Sequence, residues 1–144
     1  MDAQIGWTEL FWSASGRTAR GPFLLAAAAL LGLMILYEAA VGATLHWLTG
    51  WVVYPAFLYS GACVLSKRLH DRGRSGWWAA LVLFSVAAVW PTPHGAGSVF
   101  FGLVLIWAVV ELAVMRGEDG ANRFGPSPLV GVGAHEPFVT GPPA

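Results

Sequence analysis

The sequence predicts an all-α protein, a multi-span membrane helix bundle of four transmembrane helices with an N-terminal interfacial helix. Three observations lead there. Hydrophobic residues make up 56% of the 144-residue chain against 11% charged, with a mean hydropathy of +0.62, more apolar surface than a soluble domain of this size can bury. The apolar residues gather into four unbroken runs, without the alternation that membrane barrel strands require. All eight Lys and Arg residues lie outside those runs.

Residues 1–21 form the first unit. "IGWTELFW" predicts a short helix lying on the membrane surface, with Ile5, Trp7, Leu10, Phe11 and Trp12 toward lipid. With Trp7, Glu9, Phe11 and Trp12 ahead of the first apolar run, this is a poor n-region, so the run reads as a span and not as a cleaved signal peptide.

The membrane domain covers 22–125. Its first run, Pro22 to Leu45, carries a single charge, Glu38, and exceeds the roughly 20 residues that a spanning helix needs. The second, Trp47 to Leu65, has no charge and places Pro55 in its interior, where a kink is tolerated if neighbours satisfy the freed carbonyl. The third, 77–90, is short for a hydrocarbon core of roughly 30 Å and needs its flanks to span. A fourth, 99–115, carries only Glu111. Residues 126–144, rich in Pro and Gly, read as a disordered tail.

Lys and Arg collect on the cytoplasmic side of membrane proteins. Arg17 and Arg20 precede the first span; Lys67, Arg68, Arg72 and Arg74 lie between the second and third; Arg116 and Arg123 follow the fourth. Four crossings with both termini and the middle loop in the cytoplasm satisfy this distribution, and a re-entrant hairpin in place of spans three and four satisfies it equally. A net charge of zero gives no bulk field for nucleic acid. The single cysteine, Cys63, lies in an apolar run and reads as a buried packing residue.

The most polar stretch is "SKRLHDRGRSGWW", residues 66–78. It reads first as a turn between helices: Lys67, Arg68 and His70 at the negative end of one helix, Gly73 in the left-handed conformation that ends it, Ser75 capping the next, Asp71 pairing with Arg72 or Arg74, and Trp77 and Trp78 at the interface. His70 beside Asp71 suggests an acid-base or metal pair, but His46 and His94 fall at the opposite membrane face and His135 in the tail. No catalytic residue, metal or cofactor is therefore assigned. The basic residues form a better-founded anion-binding face, since juxtamembrane Lys and Arg each gain about 1 kcal/mol from anionic headgroups. Glu38 and Glu111 lie at different depths and read as paired or snorkelling carboxylates, with ion or proton passage as the rival.

"SASGRTARGPF", "SKRLHDRGRSGWW" and "GANRFGPSP" resemble the motifs of the bacterial inner-membrane family catalogued as domain of unknown function 805, over roughly Phe11 to Pro128. The match is most specific at Arg68, Leu69, His70 and Asp71, at Arg74 through Trp78, and at Asn122 through Gly125. The first motif departs from the family's acidic and aromatic continuation at Gly21 and Pro22. The resemblance implies a small multi-span protein of the bacterial cytoplasmic membrane and brings no reaction or ligand.

Together with the charge distribution, it predicts one cytoplasmic polar cap that binds anionic lipid or a partner. Its residues are Arg17, Arg20, Arg68, His70, Asp71, Arg72, Arg74, Asn122 and Arg123, with Asn122 and Asp71 tying the basic groups together. The expected function is a non-enzymatic scaffold or anionic-lipid-associated protein. Its partners would be membrane lipids and a second copy or another membrane protein, not nucleic acid. The alternatives are a subunit of an oligomeric channel or transporter using Glu38 or Glu111, and a membrane enzyme using His70 and Asp71.

Overall fold

The structure, a computed structural model, describes residues 6–89 and 95–128. These form five α-helices: α1 (Trp7–Trp12), α2 (Arg20–Ala40), α3 (Ala43–Asp71), α4 (Trp78–Val89) and α5 (Gly97–Val109), the last running into a π-helical turn at Val110–Val114. Among the described residues there is no strand, only an isolated bridge between Asn122 and Gly125. The expected all-α membrane bundle is the fold. The tail from residue 129 onward, Ile5, His94 and His135 lie outside the described residues.

Pro22 falls in the first turn of α2, where its missing N–H has no intrahelical partner to lose. The Ala and Leu repeat then carries the helix to Ala40, and the N–H of Val41 closes it on the carbonyl of Tyr37. The expected first span, drawn to Leu45, therefore ends five residues early. Val41 and Gly42 take extended conformations, and Leu45 belongs to α3.

α3 has 29 residues and contains Pro55. At ~1.5 Å per residue it is about 43 Å long, more than the roughly 30 Å hydrocarbon core, so its basic last turns extend beyond that length, where α1 and the chain after α5 bury them. Gly73, at φ +66°, adopts the left-handed conformation expected after it.

Three helices are long and apolar enough to cross a membrane: Arg20–Ala40, Thr44–Asp71 and Gly97–Val114. α4, with 12 residues, is a shorter apolar helix. It runs antiparallel to α5, as the paired rings of Trp78 with Trp107 at 5.5 Å and Phe84 with Phe101 at 5.3 Å show. Residues 90–94 between them are outside the described residues.

α3 is the spine, packed against α1, α2 and α4, while α2 meets the π-turn. Small residues allow the close approach: Ala26, Ala79 and Ala108 are buried, and Leu83 reaches into the space beside Gly61. The buried apolar cluster also contains Leu10, Phe23, Val64, Leu69, Val82 and Leu112. Only 11% of the apolar window of α2 is buried, because its Leu and Ile residues face outward, as a helix solvated by lipid permits.

α1 departs from the expected arrangement. Leu10 is 3% exposed and joins the core with Phe11 packed against it, whereas Trp7 and Trp12 remain outside. The short helix is docked on α3, because Lys67 Nζ donates to the Glu9 carbonyl at 2.7 Å and pulls the strip bearing Leu10 inward.

Candidate functional site

The C-terminal end of α3 gathers all three polar motifs. Arg68 explains how. Its side chain is 1% exposed, and Nε donates to the Leu112 carbonyl at 2.9 Å, one terminal nitrogen to the Met115 carbonyl at 2.6 Å, and the other to Asp71 Oδ2. The last carbonyls of any helix lack intrahelical donors and carry the negative end of its dipole. A guanidinium answers both needs, supplying several donors in a planar fork and a positive charge.

Two other arginines extend the brace. Arg20 donates to the Val114 carbonyl at 3.2 Å, and Arg72 donates to the Arg116 carbonyl. The C-terminal end of the α5 unit is thus capped by side chains from α2, α3 and the turn after α3. The π-turn takes part in this: the Met115 N–H reaches back five residues to Val110, and the turn buries Glu111 and Leu112.

Asp71 lies between two arginines, with Arg17 Nη2 3.0 Å from Oδ1 and Arg68 on Oδ2. Arg17 also donates to the carbonyls of Gly120 at 2.6 Å and Glu118 at 2.7 Å, so a residue ahead of α2 holds the loop after α5. The Glu118 N–H donates to the backbone carbonyl of Asp71 at 2.8 Å. The expected local pairing of Asp71 with Arg72 or Arg74 does not occur. Both of those reach Glu111 instead, Arg74 Nε at 2.9 Å and Arg72 Nη2 at 3.2 Å, while the Arg74 guanidinium sits 5.6 Å from the Trp107 ring centre. Glu111 is thus a paired carboxylate, held by two arginines of the middle loop.

The His70 ring and the Asp71 carboxylate have separate partners. The Asp71 carboxylate is taken by the two arginines, while the His70 ring stacks on Phe124 at 3.9 Å with Nδ1 3.1 Å from the Gly16 carbonyl. Asn122 donates to the His70 carbonyl at 2.9 Å and to Glu118 Oε2 at 2.8 Å, and its own Oδ1 accepts from the Phe124 N–H. It ties backbone to loop and, among the described residues, bonds no basic side chain, which corrects the role expected for it; of Asn122 and Asp71, only Asp71 joins basic groups. Arg123 lies on the rim, reaching the Gly73 carbonyl at 3.3 Å and covering the Phe124 ring.

The turn into α4 differs from expectation in one detail. The N–H groups of Trp78, Ala79 and Ala80 are met by the carbonyls of Ser75, Gly76 and Trp77, so the backbone itself satisfies the turn in which Ser75 was expected to cap. Among the described residues every buried side-chain nitrogen and oxygen has a hydrogen-bond partner, and no group of three metal-ligating side chains exists.

Glu38 occupies the other end of the bundle. It accepts from the Tyr54 hydroxyl at 2.6 Å, that hydroxyl is also 2.6 Å from His46 Nε2, and Tyr37 bonds Thr49 at 2.8 Å. This cluster holds α2 against α3 beside their short connection. Glu38 was legible in the sequence, but its partners were not, because His46 fell between two apolar runs, Pro22 to Leu45 and Trp47 to Leu65, and was assigned to neither. The spacing of His46, Gly50 and Tyr54, one face of a continuous helix, was the available signal. Glu118 and Gly117 were also missed, being ordinary in type and meaningful only where the loop meets Asp71.

The comparisons with known proteins agree with this architecture in extent. A family described as a protein of unknown function (DUF805) matches residues 11–126, from the end of α1 through the loop that Arg17 holds. Two Escherichia coli proteins, each named uncharacterized protein YiiR, from strain K12 and from O157:H7, are each 31% identical over 102 aligned residues, covering 65% of this chain and 70% of the relative. No solved structure matches. The match spans α2 to α5 and the three motifs that build the cap, and the chain belongs to the DUF805 family.

Proposed function

We propose that the protein is a non-enzymatic scaffold of the bacterial cytoplasmic membrane, with both termini in the cytoplasm and a rigid polar cap offered to anionic headgroups and a membrane-protein partner. The observation that carries this reading is the division of labour among the arginines. Arg17 and Arg68 are buried and saturated by carbonyls and Asp71, so they build the cap. Arg116 and Arg123 are exposed, and the Arg116 side chain has no partner among the described residues. Trp7, Trp12 and Trp77 are exposed at the same end, as residues seated at a headgroup layer are. Orientation follows from the basic residues, since this end carries all eight.

Native mass spectrometry of the purified protein with mixed lipids tests the reading. The wild type retains phosphatidylglycerol, and the Arg116→Gln/Arg123→Gln double variant retains several-fold less; equal retention rejects it.

A second reading, an oligomeric channel or transporter subunit, finds support in the Glu38, Tyr54 and His46 chain rather than in Glu111, which is engaged by two arginines. Proteoliposome flux abolished by Glu38→Gln favours it.

A further inference from the structure

α2 stands apart from part of the bundle. It packs on α3 and, at the capped end, on the π-turn, and has no comparable packing on α4 or α5. The space left between them is a cavity of about 470 Å³ whose walls come from α2, α3, α4 and the α5 unit. It runs from Phe23, Leu112 and Ala113 near the cap to Met34 and Tyr54. From Phe23 to Met34 α2 rises about 17 Å at ~1.5 Å per residue, close to the hydrocarbon depth of one leaflet, half of a core of roughly 30 Å.

The cavity is apolar. The Tyr54 hydroxyl is the only side-chain oxygen or nitrogen among its lining residues, and Glu38 and His46 already engage it. Water gains nothing in such a space, whereas an alkyl chain restores the packing contacts that an empty gap forfeits. Leu24 and Leu31 on α2 and Val109 on α5 line the cavity and are exposed as well, so it opens sideways to lipid between these helices.

A cation stands at its capped end. Arg20 lies one turn before Phe23 and Leu24 on the same face of α2, and Nη1 donates to the Val114 carbonyl, next to Ala113. It thus bridges the two walls where α2 meets the π-turn. The residue is exposed, and its Nε and Nη2 have no acceptor among the described residues. These two nitrogens make the planar fork that holds a phosphate through parallel N–H bonds. Arg17 and Arg68, by contrast, are saturated inside the cap. The far end of the cavity has Glu38 behind Tyr54 and no Lys or Arg, so charge complementarity fixes one orientation, with the anion at Arg20 and the chain directed toward Tyr54.

We propose that this cavity takes one acyl chain of an anionic phospholipid from the leaflet on the capped side, with the phosphate paired to Arg20 and the chain laid between α2 and α5. The proposal rests on the reading that the cap faces an anionic headgroup layer, and it seats a chain as well as a head on the protein. Arg116 and Arg123 have no part in it.

The test is photo-crosslinking of the full chain in phosphatidylcholine liposomes doped with phosphatidylglycerol that carries a diazirine midway along one acyl chain, with labelled residues mapped by peptide mass spectrometry. Label is expected on Ala27, Leu30 and Phe57, which are half-buried and line the cavity, ahead of Leu25, Leu33 and Leu36, which are exposed and do not. The same diazirine on phosphatidylcholine is expected to label the cavity about fivefold less, the preference that one juxtamembrane arginine supplies. Arg20→Gln lowers the phosphatidylglycerol label to the phosphatidylcholine level and leaves the phosphatidylcholine label unchanged; a fall in both would assign Arg20 a purely structural role and overturn its pairing with the phosphate. Ala27→Trp fills the cavity and lowers the label on Leu30 and Phe57 from both lipids. Should Ala27→Trp not fold, the wild-type map and Arg20→Gln decide. Label confined to the outward-facing residues, equal labelling by the two lipids, or loss of cavity label as protein density rises, as a second copy covering the opening would cause, overturns the proposal. Arg116→Gln/Arg123→Gln is expected to leave the cavity label as in the wild type, and a fall there overturns the assignment of the head to Arg20. Because that double variant reads phosphatidylglycerol retention and Arg20→Gln reads the position of the chain, each idea fails by its own measurement.

Discussion

Arg17 and Asp71, 54 residues apart in sequence, meet with their nitrogen and oxygen 3.0 Å apart and side chains only 1% and 3% exposed. With Arg68 on the other oxygen, one carboxylate joins the segment before α2 to the end of α3, and the same two arginines hold the carbonyls of the chain after α5. The capped end is therefore a single mechanical unit made from three distant parts of the sequence.

Asp71→Asn leaves two buried guanidinium groups facing a neutral amide. Removing one partner of a buried ionic cluster is strongly destabilising, about 3–5 kcal/mol, because the remaining charge is left uncompensated. Thermal unfolding in detergent should show a large drop in midpoint for Asp71→Asn, and no change would mean that the cluster is solvated.

Arg68→Lys preserves the charge and loses the fork. An ammonium cannot reach the carbonyls of Leu112 and Met115 and the Asp71 carboxylate together, as Arg68 does. A loss of about 2–4 kcal/mol is expected from the abandoned charge-assisted bonds. Arg116→Lys, on an exposed side chain, is the control and should unfold like the wild type.

Gly117→Ala tests the closeness of the loop to the cluster. A Cβ there would collide with Asp71 Oδ2 and lie 2.6 Å from its Cγ, and Asp71 cannot yield because two arginines pin it. The variant should be clearly less stable than Gly32→Ala, where a Cβ meets open space in α2. Equal midpoints for the two would show that the loop is free to shift.

Glu111→Gln and Tyr54→Phe separate the two ends of the bundle. The first weakens the hold on Arg72 and Arg74 at the capped end and should lower stability by about 1–3 kcal/mol. The second deprives Glu38 and His46 of their shared hydroxyl and should lower it by a similar amount. The sites share no partner, so the double variant should show the sum within about 0.5 kcal/mol.

Labelling of single cysteines in a Cys63→Ala background checks the topology. Ser15→Cys and Asp119→Cys lie in segments that Arg17 joins, so both should react from the same side of the membrane, and Gly42→Cys, at the end of the bundle where α2 turns into α3, from the other. Reaction of positions 15 and 119 from opposite sides would contradict the cap.

The sequence alone determined the helical class, the apolar segments and the gathering of basic residues at one end, since lipid requires long apolar helices and Lys and Arg fall outside them. Its motifs also marked which loops would meet. It did not determine who pairs with whom. Asp71 turned from its neighbours Arg72 and Arg74 toward Arg17 and Arg68, His70 turned to Phe124, and Glu38 found Tyr54 and His46. Only the tertiary structure decided these. A guanidinium buried at a helix end takes whatever carbonyls and carboxylates the packing brings within hydrogen-bond reach, and that reach is set by how α2, α3 and α5 converge, which residue spacing along a single helix does not encode.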